Sequence, residues 1–419
     1  MRIAFVTLGC RTNQAESAHL EQMISESGHQ IVDLNEGADI CIVNTCSVTA
    51  KADYQSRQSI SRAIKAKAEV IVTGCYAELN SNLLKERNLG IRIIGNDHKS
   101  SIINLIPRLR SPVTLDITSK LRHRPTIKVQ DGCNNACSYC IIPSARGRSK
   151  SFDPREIVDE VRKLESLGFE EIVLSGIHLG VYGKDLTSDY NLAKLLEEIL
   201  SATSKTRIRL SSIEINELSD RLINVLNTDR ICRHLHIPLQ CADDTILARM
   251  NRSYTVKEYS LILDKITRQF SNMSIGTDII VGFPTEEESH FNNMMTFLDS
   301  QPFTYLHVFP FSARPGTIAS ALKPQVPNLL KKQRVLKARE LSMRKKAAFV
   351  EANIGLEHEI IIETVDEKGI IGMTSNYIKV LAPMDAGMIP GTLVRIKITG
   401  ADNDKASGLP VNSVQPPNK

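Results

Sequence analysis

The sequence predicts an α/β protein of three parts: an open parallel sheet, a partial (β/α)6 barrel and a small antiparallel β barrel. Three observations lead to this prediction. Residues 1–110 and then residues 111–350 alternate apolar strands with amphipathic helices, which is typical of parallel sheets covered by helices. Residues 351–419 change to short alternating strands and turns, as in small OB-like β barrels. A chain of 419 residues is also too long for one ordinary domain.

The composition limits the class of protein. The net charge is +5, from 52 Lys and Arg against 47 Asp and Glu, which permits a nucleic-acid partner without requiring one. Nine cysteines in 419 residues are too dilute for a disulfide scaffold, so metal binding in a reducing compartment is favoured. No apolar run approaches the ~18 residues that span a membrane. The opening MRIAFVTLGC fits a first strand better than a signal peptide. We therefore expect a cytoplasmic protein with no membrane partner.

The first part places a cysteine directly after each of three predicted strands. The strands RIAFVTL, ADICIVN and EVIVTG precede Cys10, Cys46 and Cys75, which we call the strand-end trio. Ligands of open α/β sheets lie beyond the carboxyl ends of the strands, so these thiols can meet in one crevice. We interpret them as one ligand set. The alternative, that small cysteines merely fill apolar positions, is our interpretation of Cys41, which lies inside its strand.

A linker and then six strand–helix units follow. From Asn96 to Arg124 the pattern weakens and basic residues gather, among them Lys120 and Arg122. From Thr126 onward a strand and a helix alternate six times, which indicates an incomplete barrel rather than a complete barrel of eight units.

The stretch CNNACSYCIIP follows the first barrel strand, on the rim where barrel enzymes place their chemistry. It contains Cys133, Cys137 and Cys140, which we call the loop trio. Three soft thiolates so close in sequence indicate one inorganic group. Clusters and structural zinc sites normally close with four protein ligands, so three indicate an iron–sulfur cluster with an open position. The alternative is zinc with a distant fourth ligand, but no second CxxC or HxxxH accompanies the loop.

These motifs together resemble the methylthiotransferases, radical S-adenosylmethionine (SAM) enzymes that insert sulfur and a methyl group at an unactivated carbon. The resemblance covers the whole chain: TLGCRTNQAES, NTCSVT and TGCYAE in the first part, DGCNNACSYCIIPSARGRSKS in the second, and GMTSNYIKV, similar to the TRAM RNA-binding domain, in the third. The stretches RPTIKVQDGC, LSGIHLGVYGKD and RLSSIEI are most similar to the subgroup that modifies N6-threonylcarbamoyladenosine beside the tRNA anticodon. Gln55 departs from the basic residue expected there, and Cys241 from serine.

The resemblance implies two 4Fe–4S clusters and SAM. The loop trio would hold the cluster that binds SAM and produces a radical, and the strand-end trio would hold an auxiliary cluster that presents the transferred sulfur. No side chain is expected to be catalytic, because the clusters and SAM carry the chemistry. The implied partners are a tRNA anticodon stem-loop and an electron donor such as flavodoxin or ferredoxin. The sequence does not identify the sulfur donor, nor a role for Cys232 or Cys241.

Five residues are candidates for contact with SAM. Ser175 and Gly176 follow the second barrel strand, where a glycine admits close approach to the methionine amine, although an ordinary tight turn explains them equally well. Glu214, at the end of the third strand, is a candidate for the ribose hydroxyls or the amine. Gln240 and Gly282 are candidates for the adenine side.

Candidates for RNA contact follow the loop trio and lie in the third part. Arg146 and Arg148 are predicted on the same rim as the loop trio, where they would contact an anticodon-loop phosphate; solvated loop charges are the alternative. Asn376 is a candidate in the third part, whereas its neighbour Tyr377 is as readily a core residue. The basic helix at 328–346 is either a solvated or an RNA-facing surface.

Three histidines, His178, His234 and His236, are interpreted as pocket or core residues, because the cysteines suffice for the clusters. The predicted function is a tRNA methylthiotransferase that converts N6-threonylcarbamoyladenosine to its 2-methylthio derivative with two SAM molecules. The alternatives are a methylthiotransferase for isopentenyladenosine in tRNA or for an aspartate of a ribosomal protein, and a non-catalytic RNA-binding iron–sulfur protein.

Overall fold

The computed structural model describes residues 1–87, 89–107, 123–186, 189–385 and 387–411. The predicted linker cations Lys120 and Arg122 and the final residues 413–419 lie outside the described residues. Within the described ranges, no helix combines the length and apolar character that a membrane-spanning helix requires.

The first part is an open parallel sheet, as predicted. Its strands are β1 (Arg2–Thr7), β2 (Gln30–Val32), β3 (Ile40–Thr45), β4 (Glu69–Gly74) and β5 (Arg92–Ile93). Its helices are α1 (Arg11–Glu26), α2 (Ala50–Lys65), α3 (Cys75–Leu79) and α4 (Ser81–Glu86). The strand order is β2-β1-β3-β4-β5, with separate clusters of buried apolar side chains. Since the order reverses at β1 and β3, the crevice beyond their carboxyl ends is the usual ligand position of such sheets.

The second part contains the six parallel strands of the predicted barrel. They are β6 (Thr126–Asp131), β8 (Glu171–Gly176), β9 (Arg207–Leu210), β10 (His234–His236), β11 (Ser274–Val281) and β12 (Tyr305–Pro310), while the short β7 (Lys150–Ser151) pairs antiparallel to β6. The parallel order is β6-β8-β9 and then β10-β11-β12. Residues just before β10 join the two sets, because the amide of Cys232 donates to the carbonyl of Ile208 at 2.9 Å. The strands therefore follow chain order, as in a partial (β/α)6 barrel.

The helices of this part are α5 (Ile142–Arg146), α6 (Pro154–Ser166), α7 (Leu192–Ala202), α8 (Asp220–Leu226), α9 (Asp244–Arg249), α10 (Val256–Gln269), α11 (Glu288–Ser300), α12 (Ile318–Ala321) and α13 (Asn328–Glu351). Most of them cover the outside of these strands, while the short α5 and α12 lie near the loop trio. Alternate strand residues such as Leu235, Ile275 and Leu306 pack with the helices in one large apolar core. The intervening residues, among them His236 and Tyr305, point to the inner face of the strands, because successive side chains alternate. We call the space on this inner face the lumen.

The third part is a closed barrel. Its strands are β13 (Glu357–Asp366), β14 (Gly369–Thr374), β15 (Lys379–Ala382), β16 (Leu393–Asp402) and β17 (Lys405–Pro410), in the order β13-β14-β15-β17-β16. The pairs are antiparallel except for β15 and β17, which are parallel and were not predicted to be so. Val350, near the end of α13, packs into its apolar core.

A buried ion cluster attaches the third part to the second. Glu171, which is 0% exposed, accepts hydrogen bonds from Nε of Arg207 and Nε of Arg209, each at 2.7 Å. Arg209 also donates to the carbonyls of Thr374 at 3.0 Å and Ser375 at 3.1 Å, at the end of β14. Burial opposes ionisation of Glu171, but the Arg209 and Arg207 charges hold the pKa of this carboxyl well below its usual range. One carboxylate thus orients the arginines that hold the third part.

Glu171→Gln is expected to lower the free energy of unfolding by about 3–5 kcal/mol, because it leaves two buried guanidinium groups without their counter-charge. The matched control is Glu197→Gln. Glu197 pairs with Arg221 at 2.5 Å, but their side chains are 42% and 50% exposed, so a loss of less than about 1 kcal/mol is expected. Calorimetric unfolding of both variants checks this, and equal shifts in the midpoint temperature would contradict the assigned role of Glu171.

Candidate functional site

The loop trio lies on the rim of the barrel directly after β6. Cys133, Cys137 and Cys140 are partly exposed and line a cavity of about 690 Å³, together with Arg148 and Ile318. This volume is in the usual range for cofactor and small-molecule sites. The three thiols thus face a space that can accommodate a cluster and a bound small molecule.

Nitrogen donors point at the sulfurs of the loop trio. The amide of Asn135 lies 3.4 Å from Sγ of Cys133, and a guanidinium nitrogen of Arg252 lies 3.4 Å from Sγ of Cys137. Burial raises the pKa of the Cys140 thiol to about 12, although a backbone hydrogen bond from Ile142 opposes the shift. Hydrogen bonds to cysteine sulfur help to set the potential of iron–sulfur clusters, so these donors fit a cluster.

The segment after α9 holds the cysteine loop in place. The amide of Ser138 donates to the carbonyl of Met250 at 3.0 Å, and its hydroxyl donates to the carbonyl of Arg249 at 2.7 Å. Asn251 donates to the carbonyl of Ala136 at 2.8 Å. These contacts fix the loop backbone between its cysteines.

Arg252 in that segment was not identified from the sequence. Its side chain is 4% exposed, pairs with Glu214 and lies over the Tyr254 ring, 5.0 Å from the ring centroid. It is separated from Cys137 by 115 positions, so only the folded chain brings this cation to the loop trio.

The strand-end trio lies at the reversal point of the first sheet. Cys10 is exposed and directly precedes α1 as its N-cap residue, whereas Cys46 and Cys75 are buried. A Cβ atom on Gly9 would lie 2.7 Å from Sγ of Cys46, so the backbone before Cys10 lies against that thiol. Burial raises the pKa of Cys46 to about 11, and the nearby Cys75 and Cys10 thiols raise it further. The three thiols therefore meet in one crevice, and their role as cluster ligands stays a prediction.

The spacing of the cysteines fits a cluster better than one ion. A single metal ion needs its ligand atoms close together. Among the described residues, a set of three possible ligands with all atoms within 4.8 Å of one another is formed by His236, Asp278 and His307. Neither cysteine trio meets that limit. A four-iron cluster spreads its thiolates over several metal atoms, so wider spacing is what it requires.

A buried ion network joins the two cysteine sites. Glu16 of α1 pairs with Lys99, with Lys128 at 2.8 Å and with Arg146 at 2.9 Å, and Arg146 also pairs with Asp131 at 2.8 Å. The side chain of Arg146 is 0% exposed and that of Glu16 is 6% exposed. Burial opposes ionisation of Glu16, but the three cations hold its pKa far below the usual range. The first part is thus held against β6 and α5 by charges that are removed from water.

Arg146 lies between the two trios and is not an RNA contact. It follows the loop trio in sequence and donates to the side-chain oxygen of Asn13. Burial raises the pKa of the Cys75 thiol, and the positive charge of Arg146 opposes this shift, so the cation lies near the strand-end trio as well. The prediction that it contacts an RNA phosphate is wrong for this structure, because Glu16, Asp131 and Asn13 occupy its donors in a buried interface. Arg148 is exposed beside the loop trio, so its RNA contact stays a prediction.

Asn376 is also buried, at 2% exposure. It accepts from the Thr374 hydroxyl at 2.6 Å and donates to Asn353 at 3.1 Å, just beyond α13. The prediction that Asn376 contacts RNA is therefore corrected, since its amide orders the junction between the second and third parts.

The basic helix α13 divides into two sets of cations. Arg334 is buried against Glu286, and Arg344 pairs with Asp299 at 2.7 Å. The exposed cations for which no ion pair is found with another described residue are Lys332, Lys337 and Arg339.

The structure places the SAM candidates at strand ends with different surroundings. Ser175 is 1% exposed, with its hydroxyl oxygen 3.4 Å from that of Thr12 in α1. A Cβ on Gly176 would lie 2.9 Å from the side-chain oxygen of Gln130, so packing already requires glycine there. Glu214 borders a second cavity beside the cysteine loop, and burial raises its pKa.

The other two candidates have unusual backbones. Gln240 has a φ of +67°, and its amide donates to the carbonyl of Asp278 at 2.8 Å. Gly282 has a φ of +73°, and a Cβ there would lie 2.4 Å from Cγ of Lys331. Contact of any of the five candidates with SAM stays a prediction.

The lumen contains polar side chains that the sequence interpretation largely missed. Nε2 of His236 lies 2.8 Å and Nδ1 of His307 lies 3.1 Å from the same oxygen of Asp278. The hydroxyl of Tyr305 lies 2.8 Å from Nε2 of His234 and 3.1 Å from Nδ1 of His236. The alternation of polar and apolar residues in HLH, TDII and YLHVF was the available signal for an inward-facing polar surface.

Comparison with known proteins identifies the family. Residues 2–95 match the model of an uncharacterized protein family, UPF0004, and residues 127–298 match the radical SAM superfamily. A threonylcarbamoyladenosine tRNA methylthiotransferase, MtaB, of Aquifex aeolicus is 38% identical over 95% of this chain and 100% of that protein. The chain belongs to the radical SAM methylthiotransferase family. MtaB of Bacillus subtilis is 37% identical to this methylthiotransferase over 99% of the chain and 96% of that protein.

A solved structure supports the fold of this methylthiotransferase. The radical SAM methyltransferase TsrM of Kitasatospora setae matches it with a TM-score of 0.56 and 14% identity, over 76% of each chain. As a radical SAM methylthiotransferase, the protein uses SAM and two 4Fe–4S clusters.

Arg252→Gln is expected to lower the reduction potential of the cluster at the loop trio, because it removes a positive charge and an N–H donor that stabilise the more negative, reduced cluster. A redox titration of the reconstituted enzyme followed by electron paramagnetic resonance measures this. The control is Arg249→Gln, on the same segment, where the exposed arginine donates to Thr285 and not to sulfur. Equal potentials in the wild type and Arg252→Gln would contradict the assigned contact.

Proposed function

We propose that this methylthiotransferase converts N6-threonylcarbamoyladenosine beside the anticodon of tRNA to its 2-methylthio derivative. The names of the relatives support tRNA as the substrate. The structural observation that carries the proposal is that Arg146, on the helix after the loop trio, pairs at 2.9 Å with Glu16, on the helix after Cys10 of the strand-end trio. A radical source and a sulfur source must act on the same carbon, so the two sites have to share one substrate space.

When bound, SAM and the two clusters supply the radical, the sulfur and the methyl group. The chain itself positions these groups. The loop trio would hold the SAM-binding cluster while Arg252 orients Cys137, and the strand-end trio would hold the auxiliary cluster. The helix α1 lies against β6 and β8, so the first part covers one side of the lumen and would limit the access of water to the reacting atoms.

The nucleoside would enter the lumen beside the edge strand β12. His307 has a 53% exposed side chain and Phe309 is 42% exposed, on the lumen side of that strand. An exposed aromatic ring next to imidazoles is a surface on which a flipped base can stack. The remaining anticodon stem-loop would lie over the rim and contact Arg148.

The other proposed partners follow from the chemistry. Electrons would come from a small donor protein such as flavodoxin or ferredoxin, and the sulfur donor is left open. Residues 351–419 would serve as a TRAM-like RNA-binding module, together with the exposed cations of α13. The tRNA substrate makes the cytoplasm the proposed site of action.

Cys75→Ala is expected to retain reductive cleavage of SAM but to lose methylthio transfer, because it removes a ligand of the auxiliary cluster alone. Cys137→Ala is expected to lose both activities. The measurements are 5′-deoxyadenosine and 2-methylthio product from anaerobically reconstituted enzyme, with iron expected to fall from about eight to about four atoms per chain in each variant. Equal loss of SAM cleavage in the two variants would contradict the division of labour.

Deletion of the gene is expected to remove 2-methylthio-N6-threonylcarbamoyladenosine from cellular tRNA and to increase its unthiolated precursor. Mass spectrometry of digested tRNA measures both nucleosides. Complementation with the wild-type gene should restore the modification, whereas the Cys75→Ala gene should not. An unchanged threonylcarbamoyladenosine profile, with loss of methylthio groups from isopentenyladenosine or a ribosomal protein instead, would overturn the proposal.

A further inference from the structure

The lumen contains an arginine for which the described residues provide no carboxylate partner. Arg11 is the first residue of α1 and directly follows Cys10 of the strand-end trio. One of its terminal nitrogens lies 3.4 Å from the hydroxyl of Tyr377, and its charge acts on His234 and Tyr305. Within the described ranges, no Asp or Glu oxygen lies within 4.0 Å of its guanidinium group. Arg11 thus brings a positive charge to the inner wall of the barrel without neutralising it.

Other arginines at the contacts between the three parts are paired. The pairs are Arg146 with Glu16 and Asp131, Arg207 and Arg209 with Glu171, and Arg314 with Asp53. A cation partly removed from water is costly unless a counter-charge accompanies it. A bound anion would therefore supply the counter-charge that no carboxylate of the described residues gives to Arg11.

A rigid wall of rings positions Arg11. Tyr377 has a φ of +68°, a left-handed conformation that aromatic residues seldom adopt, and its ring stacks on His234 with centroids 4.2 Å apart. The Arg209 guanidinium also lies over the Tyr377 ring, 5.5 Å from the ring centroid. The hydroxyl that contacts Arg11 is therefore fixed by neighbours from the barrel.

Two acidic residues that the described strands direct to the inner face, Glu171 and Asp278, do not compensate Arg11. The carboxylate of Glu171 is already paired with Arg207 and Arg209. The carboxylate of Asp278 already accepts from His236 and His307, at 2.8 Å and 3.1 Å. Both are ordinary hydrogen-bond distances, so the carboxylate of Asp278 already has two hydrogen-bond partners. The anion that Arg11 lacks must therefore be carried by what enters the lumen.

We infer that Arg11 is the specificity residue that binds the carboxylate of the threonyl group on N6 of the substrate adenosine. This inference rests on the proposed function. In adenine, C2, N1 and C6 follow one another along the same edge of the ring. A base whose C2 faces the sulfur site at Cys10 consequently presents its N6 substituent next to that site, where Arg11 follows Cys10 in the chain. An isopentenyl group, a hydrocarbon, offers Arg11 no counter-charge.

The test uses reconstituted holoenzyme with both clusters and two synthetic anticodon stem-loops. One carries N6-threonylcarbamoyladenosine, and the other carries the same group with its carboxylate converted to a neutral carboxamide. Arg11→Gln, Arg11→Lys and the control Arg62→Gln are compared with the wild type; Arg62 is exposed on α2, away from the lumen. Iron content and SAM cleavage without RNA verify that the clusters are intact.

The wild type and Arg62→Gln are expected to prefer the carboxylate stem-loop, with a KM about 10- to 100-fold below that for the carboxamide, which is the usual effect of a charged hydrogen bond. Arg11→Gln should lose this preference by raising KM for the carboxylate alone, and Arg11→Lys should restore part of it. A preference that survives in Arg11→Gln, or an equal loss on both stem-loops with intact clusters, overturns the inference. If Arg11→Gln loses iron, the Arg11→Lys variant decides. Its ratio of KM for the carboxylate stem-loop to KM for the carboxamide stem-loop is compared with the wild-type ratio, and an unchanged ratio contradicts the pairing. Absence of product from the wild type on either stem-loop would instead refute the proposed function.

Discussion

The buried ion pair between Glu16 and Arg146 is the contact on which the geometry of the site depends. Glu16 lies on the helix that begins next to Cys10, and Arg146 lies on the short helix that follows the loop trio. Pairing the two residues therefore fixes the positions of both cysteine sites relative to each other. Such a pair is retained only if every buried charge has a partner, and Lys99, Lys128 and Asp131 complete the set. Its three cations and two carboxylates leave one positive charge beside Cys75, which suits a site for anionic thiolates.

The third part of the chain, which is proposed to bind RNA, also supplies a side chain to the lumen of the second part. Its turn after β14 is held by Arg209 and carries Tyr377 into the lumen, where the ring stacks on His234. Tyr377 also contacts Arg11 of the first part, so one side chain touches the other two parts. The lumen is consequently a surface made by all three parts, and its shape depends on their arrangement rather than on the barrel alone.

The sequence was sufficient for the fold class, because apolar periodicity locates strands. It also indicated where both cysteine trios lie, since they follow strand ends, whereas their role as cluster ligands stays a prediction. It was insufficient for the charged residues. Arg146 and Asn376 were assigned to an RNA surface because a polar residue in a loop has no sequence mark that separates a buried pair from a solvated charge. Arg252 was missed because its partner Cys137 is 115 positions away. Asp278 and His307 were missed for a related reason, since they become neighbours only when β11 pairs with β12.

The position of Arg11 next to Cys10 links sulfur delivery to substrate recognition through the backbone. Consecutive Cα atoms are about 3.8 Å apart, so a group held by Arg11 lies no farther from the Cys10 backbone than the length of an arginine side chain allows. A carboxylate bound at this point would align the adenine edge with the sulfur site without a separate positioning element. A substrate that lacks the carboxylate would bind the lumen more weakly, because Arg11 would then have no counter-charge. Specificity would therefore appear as a higher KM, and the contact that strengthens binding is the same contact that sets the C2 atom opposite the sulfur site.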